Sequence, residues 1–300
     1  MNIKSTLVTV LHFIGAMLAF AISLIIPEFI SPLSPEITEA GKTASGFLPT
    51  EAAFAFNAAA NALVLVWAAR RSSYKGWALF GQLLTLSFGA QVFMTQIETA
   101  YFLNAFPLLV GNFQVYNLLL RGLMTSALYS LLVVWMTGGF SRSPRPAARF
   151  ITTAETSMRH GAWLGAAYFA LYMIFGYFIA WQVQELRLFY GGPVELNSLL
   201  EQWSVALMQK PEFPVFQYFR GILWLLCLVP LFRGFTGSRL ELVALSTLAF
   251  AILPTAQLSF ANPLMPAAVS LGHFWEVLIS TGIFGALCAW FVPQSTSVRR

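Results

Sequence analysis

The chain contains no aspartate, only two cysteines and three histidines, and charged residues make up just 10% of its 300 positions. Each scarcity excludes something. Without Asp, magnesium-assisted phosphoryl transfer and aspartate-based proton pumping lose their usual ligands. Cys227 and Cys288 form no metal or disulfide spacing and read as small packing residues inside apolar runs. No HExxH helix, P-loop, dinucleotide fingerprint or GxSxG elbow occurs. A bis-histidine haem needs two histidines at one level on facing helices, and only His12 and His160 approach that. His160 reads as lying at a helix mouth, so no cofactor is expected.

What is present is apolar. Hydrophobic residues make up 58% of the chain, with 28 Phe and 9 Trp, a composition no ordinary soluble domain has. Eight apolar runs near the length needed to cross a hydrocarbon core recur at 6–27, 51–69, 77–97, 115–137, 161–182, 215–233, 241–260 and 270–292. The expected fold is therefore an all-α integral membrane domain of eight transmembrane helices. Lys4 ahead of the first run also reads as a signal peptide, with Ala19-Phe20-Ala21 as a cleavage site. That run continues to Ile26, long for a signal sequence, so a retained span is expected.

Charge sets an orientation. Lys4, Arg70, Arg71, Lys75, Arg142, Arg145, Arg149, Arg159, Arg233, Arg239, Arg299 and Arg300 fall on one side, against Lys42, Arg187 and Lys210 on the other. The positive-inside rule then places both termini in the cytoplasm of a bacterial-type inner membrane. With its basic residues accounted for this way, the net charge of +5 gives no support to a nucleic-acid partner. Membrane lipids are the expected surroundings.

The two halves resemble each other. Residues 121–135 match 276–290, with Thr125-Ser126 opposite Ser280-Thr281, Tyr129 opposite Phe284 and Trp135 opposite Trp290. Arg121 then lies opposite Glu276. Asn57 and Arg70 match Arg220 and Arg233, Ala90-Gln91 matches Ala256-Gln257, and Gly15 aligns loosely with Gly165. The expectation is two parallel four-helix repeats, at 1–137 and 161–300, joined by a basic cytoplasmic linker at 138–160 that suits anionic lipid headgroups. A competing register places Arg121-Gly122 on Arg220-Gly221.

Three connections on the expected outer side are long: 28–50, 98–114 and 183–214. In the last, Leu196, Leu199, Leu200, Trp203 and Leu207 recur at helical spacing, predicting an amphipathic helix that lies on lipid or caps the bundle. Pro254 is expected to kink the seventh span.

The costly residues point to a site. An ionisable side chain near mid-bilayer costs about 2.5–3.5 kcal/mol, yet Glu98, Arg121, Arg220 and Glu276 all fall within or at the ends of spans. They share one stratum, roughly 8–10 Å below the outer surface by helical rise. They form either a closed ion-pair network that docks the repeats or the lining of an outward pocket, where Arg would hold a carboxylate, phosphate or lipid headgroup. Gly122 and Gly221, each following an Arg, suit close helix approach. Gln96, Gln257 and His273 lie at similar depth and complete the candidate ligand-binding set. The leading expectation is a non-enzymatic protein that binds or transports a small anionic or amphipathic ligand. Arg121 and Arg220 would contact that ligand, and Glu98 and Glu276 would position them. The alternatives are an accessory subunit of a complex with a partner membrane protein, and an intramembrane lipid-modifying enzyme. The enzyme would use Glu98 or Glu276 with His273, three positions from Glu276 on one helix face.

Overall fold

A computed structural model of the chain describes residues 3–110, 113–141, 143, 150, 154–208 and 210–293. Most of the expected basic linker, and the side chain of His160, lie outside the described residues. Among those described, the chain is all-helical with no strand. Eight helical segments are long and apolar enough to cross a membrane. They are α1 (Ile3–Ile30), α3 (Thr50–Arg70), α4 (Gly76–Ser87) continued by α5 (Met94–Tyr101), α6 (Gln114–Met136), α7 (Ala154–Phe178), α10 (Glu212–Gly234), α11 (Arg239–Ala256) and α12 (Ala267–Phe291). Three short helices lie in connections: α2 (Pro35–Thr43), α8 (Gln184–Phe189) and α9 (Leu199–Met208). The spans coincide with the eight apolar runs because length and hydropathy belong to each segment alone.

Packing follows the rules of an apolar solvent, in which small residues and hydrogen bonds bring helices together. α11 and α12 lie closest, and α1 packs on α3 and α6 as α7 packs on α10 and α12. A Cβ on Gly285 would lie 2.4 Å from the Ser246 carbonyl oxygen, so α12 meets the α11 main chain there. Gly122 and Gly221 do permit close approach, to Val92 and Tyr168 respectively. The centre is filled by Leu65, Leu83, Trp224, Phe232, Phe250 and Phe284. By contrast α1 turns Leu7, Leu11, Leu18 and Ile25 outward, as a helix at the rim of a bundle does.

Two departures from regular helix matter. Between α4 and α5, Phe88–Phe93 form a π-turn, which rotates the face α5 presents relative to α4. In α11, Pro254 removes the N–H that would reach the Phe250 carbonyl. The Thr281 hydroxyl of α12 lies 2.6 Å from that carbonyl and donates to it. Three residues beyond Pro254 the helix tightens into a 3-10 turn, Gln257–Ser259.

The long connections gather at one end of the bundle, where Leu33, Ile37, Phe106, Leu109, Phe189 and Leu264 form their own apolar cluster. At the other end the short connections after α3 and α10 pair. The Ser73 N–H donates to Gly234 O at 2.6 Å and the Thr236 N–H to Arg71 O at 2.8 Å, around an antiparallel bridge between Ser72 and Phe235.

Candidate functional site

The π-turn and the start of α10 bring Glu98 and Arg220 together. Arg220 Nη2 donates to Glu98 Oε2 at 2.6 Å and lies 3.0 Å from the Met94 carbonyl. Its Nη1 faces Gln217 Oε1 at 3.4 Å, and its guanidinium carbon lies 5.8 Å from the centre of the Tyr168 ring. The Arg220 side chain is 4% exposed, whereas the Glu98 side chain is 25% exposed. Arg220 is the more deeply buried member of the pair.

α12 supplies the next two groups. His273 and Glu276 stand one turn apart on one face, with Nδ1 3.3 Å from Glu276 Oε2. The other ring nitrogen, Nε2, lies 3.0 Å from the Tyr190 hydroxyl. With the neutral ring, Nδ1–H donates to the carboxylate and Nε2 accepts from the phenol. Burial, and then the negative charges of Glu98 and Glu276, push the Tyr190 phenol well above its ordinary pKa. Tyr190 therefore holds its proton and acts as a donor.

Tyr190 belongs to a roof built from the connection between α7 and α10. Arg187 staples that roof to itself. Its guanidinium donates to the carbonyls of Trp181 at 2.5 Å, Pro193 at 3.2 Å and Val194 at 2.7 Å. Gly191 ends α8 in the left-handed region at φ 73°, a conformation that favours glycine. α9 then closes over α7 and α10. Of the apolar stripe expected at 196–207, Trp203 faces the bundle. Trp203, Val205 and Ala206 line the space beneath, while Leu200 is 77% exposed.

Under the roof is a cavity of about 430 Å³. Glu98, Glu276, His273 and Tyr190 form its polar side, Tyr172, Trp181, Trp203 and Phe213 its aromatic walls, and Lys210 lies on its lining. A second cavity of about 180 Å³ is lined by Gln96, Gln257, Asn262 and Arg220, and shares Glu98, Tyr190 and His273 with the first. Gln257 also donates to the Gln91 carbonyl at 2.8 Å.

Six of the seven candidate residues thus come together: Glu98, Arg220, Glu276, His273, Gln96 and Gln257. Arg121 does not. It pairs with the Glu28 carboxylate and donates to the Ser31 carbonyl at 2.6 Å, tying α6 to the end of α1. The four-membered network expected from the shared depth is two separate arrangements. Glu28 falls in the connection expected at 28–50, whereas α1 continues to Ile30. Tyr190 and Lys210 sit in irregular chain, where no periodicity marks them.

No protein family matches this chain, and neither the curated proteins nor the solved structures include a significant match.

Proposed function

We propose that the protein is a polytopic inner-membrane protein that binds or moves a small amphipathic ligand through the roofed cavity. The observation that carries this reading is the cavity's composition. Aromatic walls suited to an apolar body face a polar side of Glu98, His273, Glu276 and Tyr190, the pattern of a built ligand site. In this reading the long-connection end faces outward and both termini are cytoplasmic, which the distribution of basic residues supports.

The architecture in this reading is two parallel four-helix repeats. Support comes from the paired short connections. Ser73 and Thr236 lie 163 positions apart, as do Arg71 and Gly234, and as do Asn57 and Arg220. The hydrogen bond from Ser73 to Gly234 and the one from Thr236 to Arg71 exchange under that offset. A two-fold axis along the membrane normal would produce such an exchange. The cavity breaks this symmetry, because α8 and α9 follow α7 and the connection after α1 carries only α2.

Gly176 on α7 provides the test. It lines the cavity, and a Cβ built there meets no atom within 4 Å. Gly176→Leu therefore fills the cavity without straining the helix. Native mass spectrometry after mild extraction should find a small molecule on the wild type and none on Gly176→Leu. Equal occupancy in both sinks the reading, and a co-extracted protein without a small molecule favours the accessory-subunit alternative.

The Tyr190–His273–Glu276 chain favours one second reading, general acid–base chemistry on a lipid substrate, in which a carboxylate orients a histidine toward a proton donor. That reading requires loss of a hydrolytic or transfer activity in His273→Gln while the protein still folds and retains ligand.

A further inference from the structure

We infer that the ligand of the roofed cavity is a cation, an amphiphilic amine whose ammonium is taken by Glu276 and Glu98. The inference rests on the cavity reading and fixes the ligand's charge. Of the cations an anionic ligand could use, three arginines are already engaged. Arg220 does not line the larger cavity, and its Nη2 is held by Glu98 and the Met94 carbonyl. Arg187 is held by three carbonyls of the roof. Arg121 belongs to the α1–α6 junction. The carboxylates, in contrast, face the space. Glu276 is 5% exposed, lines the cavity, and has His273 as its one hydrogen-bond partner among the described residues. A buried carboxylate with a single side-chain partner has unused acceptor capacity, and a charge-assisted donor satisfies it best.

The walls agree with the charge. Aromatic faces attract ammonium groups through their quadrupoles, most strongly where water is excluded. The chain already demonstrates this with its own side chain, since Lys210 Nζ rests 5.7 Å from the centre of the Phe102 ring. Phe102 and Lys210 are both lining residues. Lys210 is exposed, so it acts as the like charge that an incoming amine must displace from the mouth.

This gives opposite signs for two substitutions. Removing Glu276 weakens an amine, and removing Lys210 strengthens it; an anion would respond in the reverse sense. The experiment uses the purified protein in lipid nanodiscs, with the tryptophan fluorescence of the cavity wall as readout. The probes are 2-phenylethylamine, 3-phenylpropionate and 3-phenylpropan-1-ol, which present positive, negative and neutral heads on a similar body. Gly176→Leu defines which part of the signal comes from the cavity. The expected result is saturable binding of the amine at least about tenfold tighter than the other two. Glu276→Gln erases that preference, and Lys210→Gln tightens the amine about two- to fivefold. Tighter binding of the propionate, weakened by Lys210→Gln, overturns the cationic assignment and leaves the cavity reading standing, as does equal binding of amine and alcohol. If no probe gives a signal that Gly176→Leu abolishes, both fail. Should Glu276→Gln not fold, the Lys210→Gln arm still decides the sign.

Discussion

Thr281 completes the hydrogen bonding of Phe250. The proline at 254 leaves the Phe250 carbonyl without a helical donor, and the Thr281 hydroxyl reaches it across the α11–α12 contact at 2.6 Å. The same hydroxyl lies 2.6 Å from the Val277 carbonyl in its own helix. Thr281→Val keeps the shape and removes the donor. It should lower stability by about 1–3 kcal/mol, the cost of an unsatisfied buried carbonyl. In a Pro254→Ala background the residue 254 N–H can take that carbonyl, and the penalty should shrink. Thermal unfolding of the four proteins in one detergent measures this coupling. Equal penalties in both backgrounds would show that Thr281 and Pro254 act independently.

The Arg220–Glu98 pair should break asymmetrically. Arginine stays protonated under all ordinary conditions, so Glu98→Gln leaves a charge in a buried site without its carboxylate partner. That loss should cost about 3–5 kcal/mol. Arg220→Met replaces the more deeply buried member with an apolar side chain of similar length. The carboxylate left behind is partly exposed and lines the cavity, where water can solvate it. Arg220→Met should therefore cost less than Glu98→Gln, by unfolding measurements at pH 7. The reverse order would mean that the cavity does not admit water to Glu98.

These relationships mark the boundary of what the sequence discloses. The eight spans were readable because each segment carries its own length and hydropathy. Glu98, Arg220, Glu276 and His273 were readable because charge and polarity inside an apolar run are costly wherever the run lies. Their partners were not, since pairing depends on where helices end and how they turn. Three more residues of helix in α1 put Glu28 beside Arg121. One π-turn, which leaves no mark in composition, sets the direction in which α5 presents Glu98. The roof was half legible. The Leu stripe of α9 announced a helix, yet the residue it buries most deeply is the polar Gln202, whose Oε1 accepts from Asn197 at 3.3 Å.

Arg121 supports α1 rather than the cavity. Arg121→Gln removes a part-buried ion pair and a hydrogen bond to the Ser31 carbonyl. It should reduce stability by about 1–2 kcal/mol. The small-molecule mass seen on the wild type by native spectrometry should remain. Loss of that mass in Arg121→Gln, with the fold intact, would extend the site to α6.

The roof should loosen in acid through Glu201. Ser198 and Glu201 cap α9 reciprocally. The Ser198 hydroxyl and N–H donate to Glu201 Oε2 at 2.7 and 2.9 Å, and the Glu201 N–H faces Ser198 Oγ at 3.4 Å. The Ser198 hydroxyl first, and its N–H second, hold the Glu201 carboxyl below its ordinary pKa, which is about 4.3 in unfolded chains. A folded-state pKa that is lowered stabilises the cap above the unfolded value, and the gain disappears as pH falls through the folded one. Amide exchange across 199–208 should therefore be slower in the wild type than in Glu201→Ala near neutral pH. The two should converge as the pH falls through the lowered folded-state pKa of Glu201. Comparing the proteins at each pH cancels the intrinsic pH dependence of exchange. A ratio that stays constant down to acid pH would show that the capping carboxylate contributes nothing to the roof. Convergence would show that the capping carboxylate holds the start of α9, whose Trp203, Val205 and Ala206 line the cavity.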